Sequence, residues 1–236
     1  MRVAALYDVH GNLPALDAVL DEVDREGVDT IVSGGDVVWG PMPPECLERL
    51  RPANARFLRG NADRDVVWGS DPIDVFARER LSTEQRDFVA SWPLALALDM
   101  QPLGRILFCH ATPRADDDIV TSDTPDEGVA AALADVEANV VVVGHTHVQF
   151  DRHVPVAPRL VNAGSVGMPY EGDPAARWLL LGSDIEHRRT TYDARAAIEQ
   201  IHASGMPQVE RLVENALRGG VTADDTVRFF ESQRKG

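Results

Sequence analysis

Arg2-Val3-Ala4-Ala5-Leu6-Tyr7-Asp8-Val9-His10-Gly11-Asn12-Leu13-Pro14-Ala15-Leu16 is the stretch whose reading decides the fold. Four apolar residues, Val3–Leu6, run into a carboxylate and an imidazole, and an amphipathic segment follows. A short continuous apolar run bounded by polar loops reads as a strand buried on both faces. Pro14 suits a first helical turn, Leu16, Val19, Leu20 and Val23 recur at helical spacing, and Gly27 ends the segment. Strand, polar loop and helix make one unit of a layered α/β fold.

Four more apolar runs repeat the arrangement. Residues 30–32 precede Gly35-Asp36, and residues 56–58 precede Gly60-Asn61-Ala62-Asp63. Residues 106–109 run into His110, and residues 140–143 precede Gly144-His145-Thr146-His147. In an open α/β sheet, ligands bind beyond the carboxyl ends of the strands. The five loops should therefore bring Asp8, His10, Asp36, Asn61, His110, His145 and His147 together. Seven donors exceed one tetrahedral ion but suit two adjacent metals, with a carboxylate between them. Asp8 and His10, two apart on an extended strand end, should point to the same side. Mixed nitrogen and oxygen donors favour manganese, iron or zinc over calcium or magnesium.

Each segment alone has a plainer reading, since an Asp after a strand often caps a helix and Asn61 suits a turn. Against that, four of the seven histidines fall at these strand ends. His153, His187 and His202 lie outside the segments and read as surface or core.

The ordered set Asp-x-His, Gly-Asp, Gly-Asn-x-Asp, His and Gly-His-x-His resembles the calcineurin-like metallophosphoesterases over about residues 1–192. The opening Asp8-Val9-His10-Gly11-Asn12-Leu13-Pro14 and the later Asn162-Ala163-Gly164-Ser165-Val166-Gly167 resemble the small prokaryotic, phosphodiesterase-like branch of that family. The resemblance implies a four-layer α/β/β/α sandwich holding two divalent transition-metal ions. It places Asp8, His10, Asp36 and His147 around one ion and Asn61, His110 and His145 around the other, with Asp36 bridging through its two oxygens. It also implies hydrolysis of a phosphate ester by attack of a metal-bridging hydroxide, with Asp36, Asn61 and His110 as the catalytic residues. Arg59, Arg64 and, less directly, Asn12 lie close enough in sequence to touch substrate, whereas Arg114 is read as a surface residue.

One position departs from the family. Many relatives carry a histidine after the asparagine, thought to protonate the leaving oxygen; here it is Ala62. A methyl group donates no proton, and general acid catalysis is typically worth about 10²–10⁴-fold. Asp63, which would orient that histidine, is expected to lose its partner by the same change. A good leaving group or another proton source would compensate, and relatives lacking this histidine point to phosphodiesters. The alternatives are a phosphomonoesterase, a phosphoprotein phosphatase, suggested by Leu58-Arg59-Gly60-Asn61, and a catalytically weak metal-binding scaffold.

Composition narrows the partners. A net charge of −15, from 23 basic and 38 acidic residues, repels polyanions, so a small phosphate ester is expected rather than extended nucleic acid. No apolar run is long enough for a membrane helix. Met1-Arg2 leads directly into the first strand, and Cys46 and Cys109 suggest no disulfide framework, which together read as a cytoplasmic protein. Cys109 is read as a strand filler.

Further along, helices are expected over 45–50, after the Ser82-Thr83-Glu84-Gln85 capping signal, and over 126–133. Residues 39–44 and 66–76 read as loops near the site. Residues 177–181 and 185–192 read as an antiparallel pair extending a second sheet. The expected organisation is a catalytic domain over 1–192 and a helical extension over 193–236, with helices at 194–203, 209–217 and 224–233 and no assigned chemistry.

Overall fold

A computed structural model describes residues 1–234, so the last two residues of the expected extension lie outside it. The first half builds β1 (Val3–Leu6), α1 (Leu13–Glu26), β2 (Thr30–Ser33), α2 (Pro43–Leu50), β3 (Ala55–Phe57), α3 (Asn61–Trp68), α4 (Pro72–Arg80), α5 (Thr83–Ala90), β4 (Ala95–Met100) and β5 (Gly104–Cys109). Then come α6 (Asp126–Ala132), β6 (Val140–Val143), β7 (Phe150–Arg152), β8 (Arg159–Asn162), β9 (Ala176–Leu181) and β10 (Ile185–Thr190). The chain closes with α7 (Ala194–Ala203), α8 (Val209–Leu212), a π-helical stretch Val213–Leu217 continuing it, and α9 (Ala223–Gln233).

Two five-stranded sheets form, ordered β10-β9-β1-β2-β3 and β4-β5-β6-β8-β7. The pairs β1·β2, β2·β3, β5·β6 and β6·β8 are parallel, as the continuous apolar runs predict. Alternation along β1 explains the layering. Val3, Ala5 and Tyr7 face a core shared with Ile106, Phe108 and Val142 of the second sheet. Ala4 and Leu6 face α1 and α2 through Leu16, Val19 and Leu47. On the far side, Val129 and Leu133 cover Val141, Val143 and Leu160. The result is the α/β/β/α sandwich. Tyr7 crosses between the sheets, donating from its hydroxyl to the Val142 carbonyl at 3.0 Å.

The helix signals hold locally. The Asn12 side chain accepts from Ala15 N at 3.2 Å to cap α1, and Gly27 closes it at φ 61°, where a Cβ would be strained. Ser82 and Gln85 form the expected capping box, with bonds of 2.8 and 3.1 Å.

Three expectations fail. The antiparallel pair β9·β10 joins β1 in the first sheet rather than extending a second one. Trp178 and Leu180 of β9 pack on α1, and Leu179 and Leu181 face the inter-sheet core, so β9, between β10 and β1, is buried on both faces. Most of residues 66–76, read as a loop, belong to α3 and α4, whose caps are Gly60 and the Asp71 capping box. Asp8 and His10 lie beyond the end of β1 in left-handed conformations, φ 55° and 46°, so no extended strand aligns them.

The C-terminal helices pack against the rest of the chain: Ile201, Leu212 and Leu217 share a cluster with Ile73 and Phe76 of α4. Among the described residues, no helix is long and apolar enough to cross a membrane.

Candidate metal centre

Five of the seven expected ligands have left-handed backbones: Asp8, His10, Asp36, His145 and His147, with φ between 46° and 65°. Such conformations are uncommon for non-glycine residues and persist where surrounding structure enforces them. Here the enforcement is visible. Asp63, wholly buried, accepts from the backbone N–H of Asp36 at 2.6 Å, Val37 at 2.8 Å, Val38 at 3.0 Å and Gly60 at 3.2 Å. Asn162 donates to the Gly144 carbonyl at 2.7 Å and Thr146 Oγ1 at 3.1 Å, ordering the His145–Thr146–His147 turn. Ser165 donates to the Asp8 carbonyl at 2.7 Å. A side chain on Gly60 would overlap the Asp36 carboxylate, so the glycine there is obligatory.

All seven residues converge. Asp8, His10 and His147 form one compact donor group and Asp8, Asp36 and His110 another, with Asp8 common to both. His147 Nε2 lies 3.2 Å from Asp8 Oδ1 and 3.1 Å from His10 Nε2. Asp36 Oδ2 stands between the groups, 3.7 Å from His10 Nε2 and 3.4 Å from His110 Nε2. Asp36 Oδ1 accepts from Ala62 N at 2.8 Å, so a bridge by Asp36 would run through Oδ2 alone rather than through both oxygens. One end of the Asn61 amide is 2.9 Å from His145 Nδ1 and 3.2 Å from His110 Nε2.

The ring tautomers favour inward lone pairs. His110 Nδ1 donates to the Gly34 carbonyl at 2.9 Å and His147 Nδ1 to the Met168 carbonyl at 2.6 Å, so in the neutral rings that a metal requires both Nε2 atoms are acceptors facing the centre. These two carbonyls carry no side-chain signature, and no motif pointed to them.

The electrostatics describe a cation site. Burial opposes ionisation of Asp8, yet His147 and His110 hold it well below the carboxylate range. Asp36, against the same burial, is held at about 2 by His110. His110 is pushed up to about 10, burial being outweighed by Asp36 and Asp8. Burial and the neighbouring His110 press His145 down to about 4, keeping its imidazole neutral. Asp63 rises to about 7 through burial and the Asp36 charge, against the four amides it accepts.

Residues expected near substrate fare differently. Asn12 has no exposed surface, and its amide caps α1 and donates to the Gly167 carbonyl at 2.9 Å, so substrate cannot reach it. Arg64 is engaged by Asp116, by Asp65 at 3.1 Å and by Asp117 at 3.7 Å. Arg59 lies over the Trp68 ring at 5.8 Å, with Nε 3.5 Å from Asp116, and its guanidinium makes no hydrogen bond among the described residues. Arg114 donates to the Ala131 and Ala134 carbonyls at the end of α6. Asp63 is not the orphan of a missing histidine; it organises the Asp36 loop. Cys109 is buried in the apolar cluster beneath α6, its thiol pushed up by burial.

A family model described as the calcineurin-like phosphoesterase superfamily domain matches residues 1–183. The chain belongs to the calcineurin-like phosphoesterase superfamily. This phosphoesterase is 26% identical to a metallophosphoesterase from Sphaerobacter thermophilus, at a TM-score of 0.74 over 92% of this chain and 99% of that one. It shares the fold of a hypothetical protein from Pyrococcus horikoshii, TM-score 0.78 at 21% identity over 92% and 98%. An uncharacterised protein from Methanocaldococcus jannaschii is 27% identical over 87% of this chain and 94% of its own. The superfamily depends on divalent metal, and the phosphoesterase's own atoms suit one. Asp8 Oδ1 is buried without a hydrogen-bond partner, among imidazole nitrogens and a second carboxylate. A cation there would satisfy that oxygen, fix the Asn61 oxygen inward and relieve the proximity of two carboxylates.

Proposed function

We propose that this phosphoesterase hydrolyses small phosphodiesters with two divalent transition-metal ions of the manganese, iron or zinc kind. Asp8, His10, Asp36 and His147 would hold one ion, and Asp36, Asn61, His110 and His145 the other. Bound there, such ions supply Lewis acidity that lowers the pKa of water and neutralises phosphoryl oxygens. The observation that carries the reading is the position of Asp36 Oδ2 between His10 and His110, with Asp8 shared by both donor groups.

The residues divide the remaining work. The carbonyls of Gly34 and Met168 fix the imidazoles, so ligand geometry precedes substrate binding. Arg59, whose guanidinium makes no hydrogen bond among the described residues and only a 3.5 Å ion pair with Asp116, is the arginine suited to a phosphoryl oxygen. Ala62 offers no proton to the leaving oxygen, and Asp63 is engaged by four amides. The leaving group must then depart as a weakly basic oxyanion, such as an aryloxide, or take its proton from solvent, which favours activated diesters. The two buried thiols, Cys46 and Cys109, support a reducing, cytoplasmic setting.

The deciding experiment strips the protein of metal, reloads it with manganese and compares bis-4-nitrophenyl phosphate with 4-nitrophenyl phosphate. Preference for the diester, abolished by Asp36→Asn or His145→Ala, is expected. Preference for the monoester would overturn the substrate class, and no turnover despite two bound metals would favour the binding-scaffold reading.

A further inference from the structure

Beside the metal centre lies a cleft of about 310 Å³ to which the catalytic reading gives no task. Trp39 and Tyr170 line it together with Gln208, Arg211 and Asn215, which come from the start of α8 and its π-helical continuation. Two contacts join it to the centre. The Trp39 ring meets His10 edge-on, centroids 5.4 Å apart. Tyr170 stacks on His147 at 4.8 Å, planes inclined by 17°. A group resting against these aromatics is therefore next to two of the donors proposed for the first ion.

The cleft's polar groups separate into engaged acids and unengaged donors. Asp74 accepts from Trp39 Nε1 and from Asp71 N, each at 3.1 Å, and Asp71 accepts from Ile73 N at 3.0 Å. Asp65 pairs with Arg64. Arg211, Gln208 and Asn215, by contrast, make no ion pair or side-chain hydrogen bond among the described residues. Arg177 and Arg188 each meet two or more acids, whereas Arg211 lines the cleft with its guanidinium free among the described residues. Asn215 also sits in the π-helical turn closed by the bond from Arg218 N to the Val213 carbonyl at 2.9 Å. Such turns recur at functional sites.

The chemistry of the walls selects an occupant. Two aromatic rings in a lining that includes buried Leu212 suit a planar ring. Arginine is donor-only and stacks on flat groups, and the two amides add donors beside it, so the ring should carry carbonyl or ring-nitrogen acceptors. An alkyl group would gain nothing from those donors, and the volume is at the small end for a ligand site. We propose that this cleft binds the nucleoside arm of a phosphodiester substrate, with the base against Trp39 and Tyr170 and its acceptor edge toward Arg211, Gln208 and Asn215. The inference rests on the phosphodiesterase reading above, and it gives the helical extension a role in recognition.

The test compares two diesters with one leaving group, thymidine 5′-(4-nitrophenyl phosphate) and methyl 4-nitrophenyl phosphate, on the full-length manganese-loaded protein. Thymidine itself, titrated by tryptophan fluorescence, reports the cleft without turnover. Thymidine should quench wild-type fluorescence, and Trp39→Phe should remove most of the quench. Arg211→Ala and Asn215→Ala should each weaken thymidine binding about tenfold, the loss of one good hydrogen bond, and raise KM for the thymidine ester by that factor relative to the methyl ester. Both positions are solvent-accessible, so the variants should fold. If the methyl ester is hydrolysed but thymidine binds no more weakly to Arg211→Ala and Asn215→Ala, or both esters suffer equally, the inference is overturned and the activity stands. If thymidine binds as expected but neither ester is hydrolysed, the cleft stands and the phosphodiesterase reading fails.

Discussion

Asp63 and Asp36 stand back to back: the Asp63 carboxylate accepts the Asp36 backbone N–H at 2.6 Å, while the Asp36 side chain points Oδ2 at the imidazoles. One acid thus sets the left-handed backbone from which the other reaches the metal centre. Asp63→Asn replaces an acceptor oxygen by an amide nitrogen and sets donor against donor at one side of this cradle. Each buried amide left unmet costs about 1–3 kcal/mol. The variant should melt several degrees lower and bind manganese about 10–100-fold more weakly, as loss of an outer-shell partner does. Calorimetric titration checks it; unchanged affinity would show that the Asp36 loop holds its shape without Asp63.

His110 makes metal binding a proton exchange. Its pKa of about 10 in the metal-free protein means that the ring is charged at pH 7.5, whereas a metal ligand must be neutral. Binding should release about one proton per chain, read from the dependence of titration heat on buffer ionisation enthalpy. His110→Gln should reduce the release, and heats independent of buffer would sink the assignment.

The same shift fixes a sign for stability. The folded pKa of His110 exceeds its unfolded value of about 6.5, so the native state binds the extra proton and is stabilised by it below that pH. This contribution is lost as pH rises toward about 10. His145, depressed to about 4, acts oppositely: its contribution is lost as pH falls from about 6.5 toward 4. Metal-free protein should lose stability on both sides of about pH 6.5, more gently in Gln variants at either position. Melting curves from pH 4 to pH 10 measure both limbs.

Much of this was legible because short apolar runs and strand-end donors are local signals. Val3–Leu6 and Val140–Val143 are strands at the bounds expected, and the histidine turn follows the latter directly. What sequence hid was tertiary. Nothing in residues 176–190 tells which sheet edge they join, and short strands such as β7 and β8 lack a long apolar run. The backbone carbonyls that orient His110 and His147 have no residue signature at all. Asp63 was visible but misread, because its four partners are backbone amides brought in by folding.

Glu231 fastens α9 beside the centre. Its Oε1 accepts from Thr121 at 2.6 Å and Thr124 at 2.5 Å, both hydroxyls buried, while the neighbouring Phe230 ring lies 5.9 Å from His145. Glu231→Ala strands two hydroxyls at a cost of about 1–3 kcal/mol. Amide exchange over Ala223–Gln233 should accelerate selectively, with the sheets unchanged. Uniform acceleration across the chain would mean that α9 unfolds only with the whole.

Restoring the missing acid separates leaving-group chemistry from everything else at the centre. Ala62 is 8% exposed, its N–H bonded to Asp36 Oδ1, so an imidazole there starts beside the proposed metal ligands. In Ala62→His the new ring finds Asp63 already engaged by four amides, so nothing on that side orients it. The gain should therefore fall at or below the low end of the about 10²–10⁴-fold span for general acids. It should appear with alkyl leaving groups and not with 4-nitrophenolate, which departs unaided. The readout is the ratio of kcat/KM for an alkyl diester to that for bis-4-nitrophenyl phosphate. A ratio unmoved by Ala62→His would mean that leaving-group protonation does not limit turnover and that Ala62 does not set substrate choice.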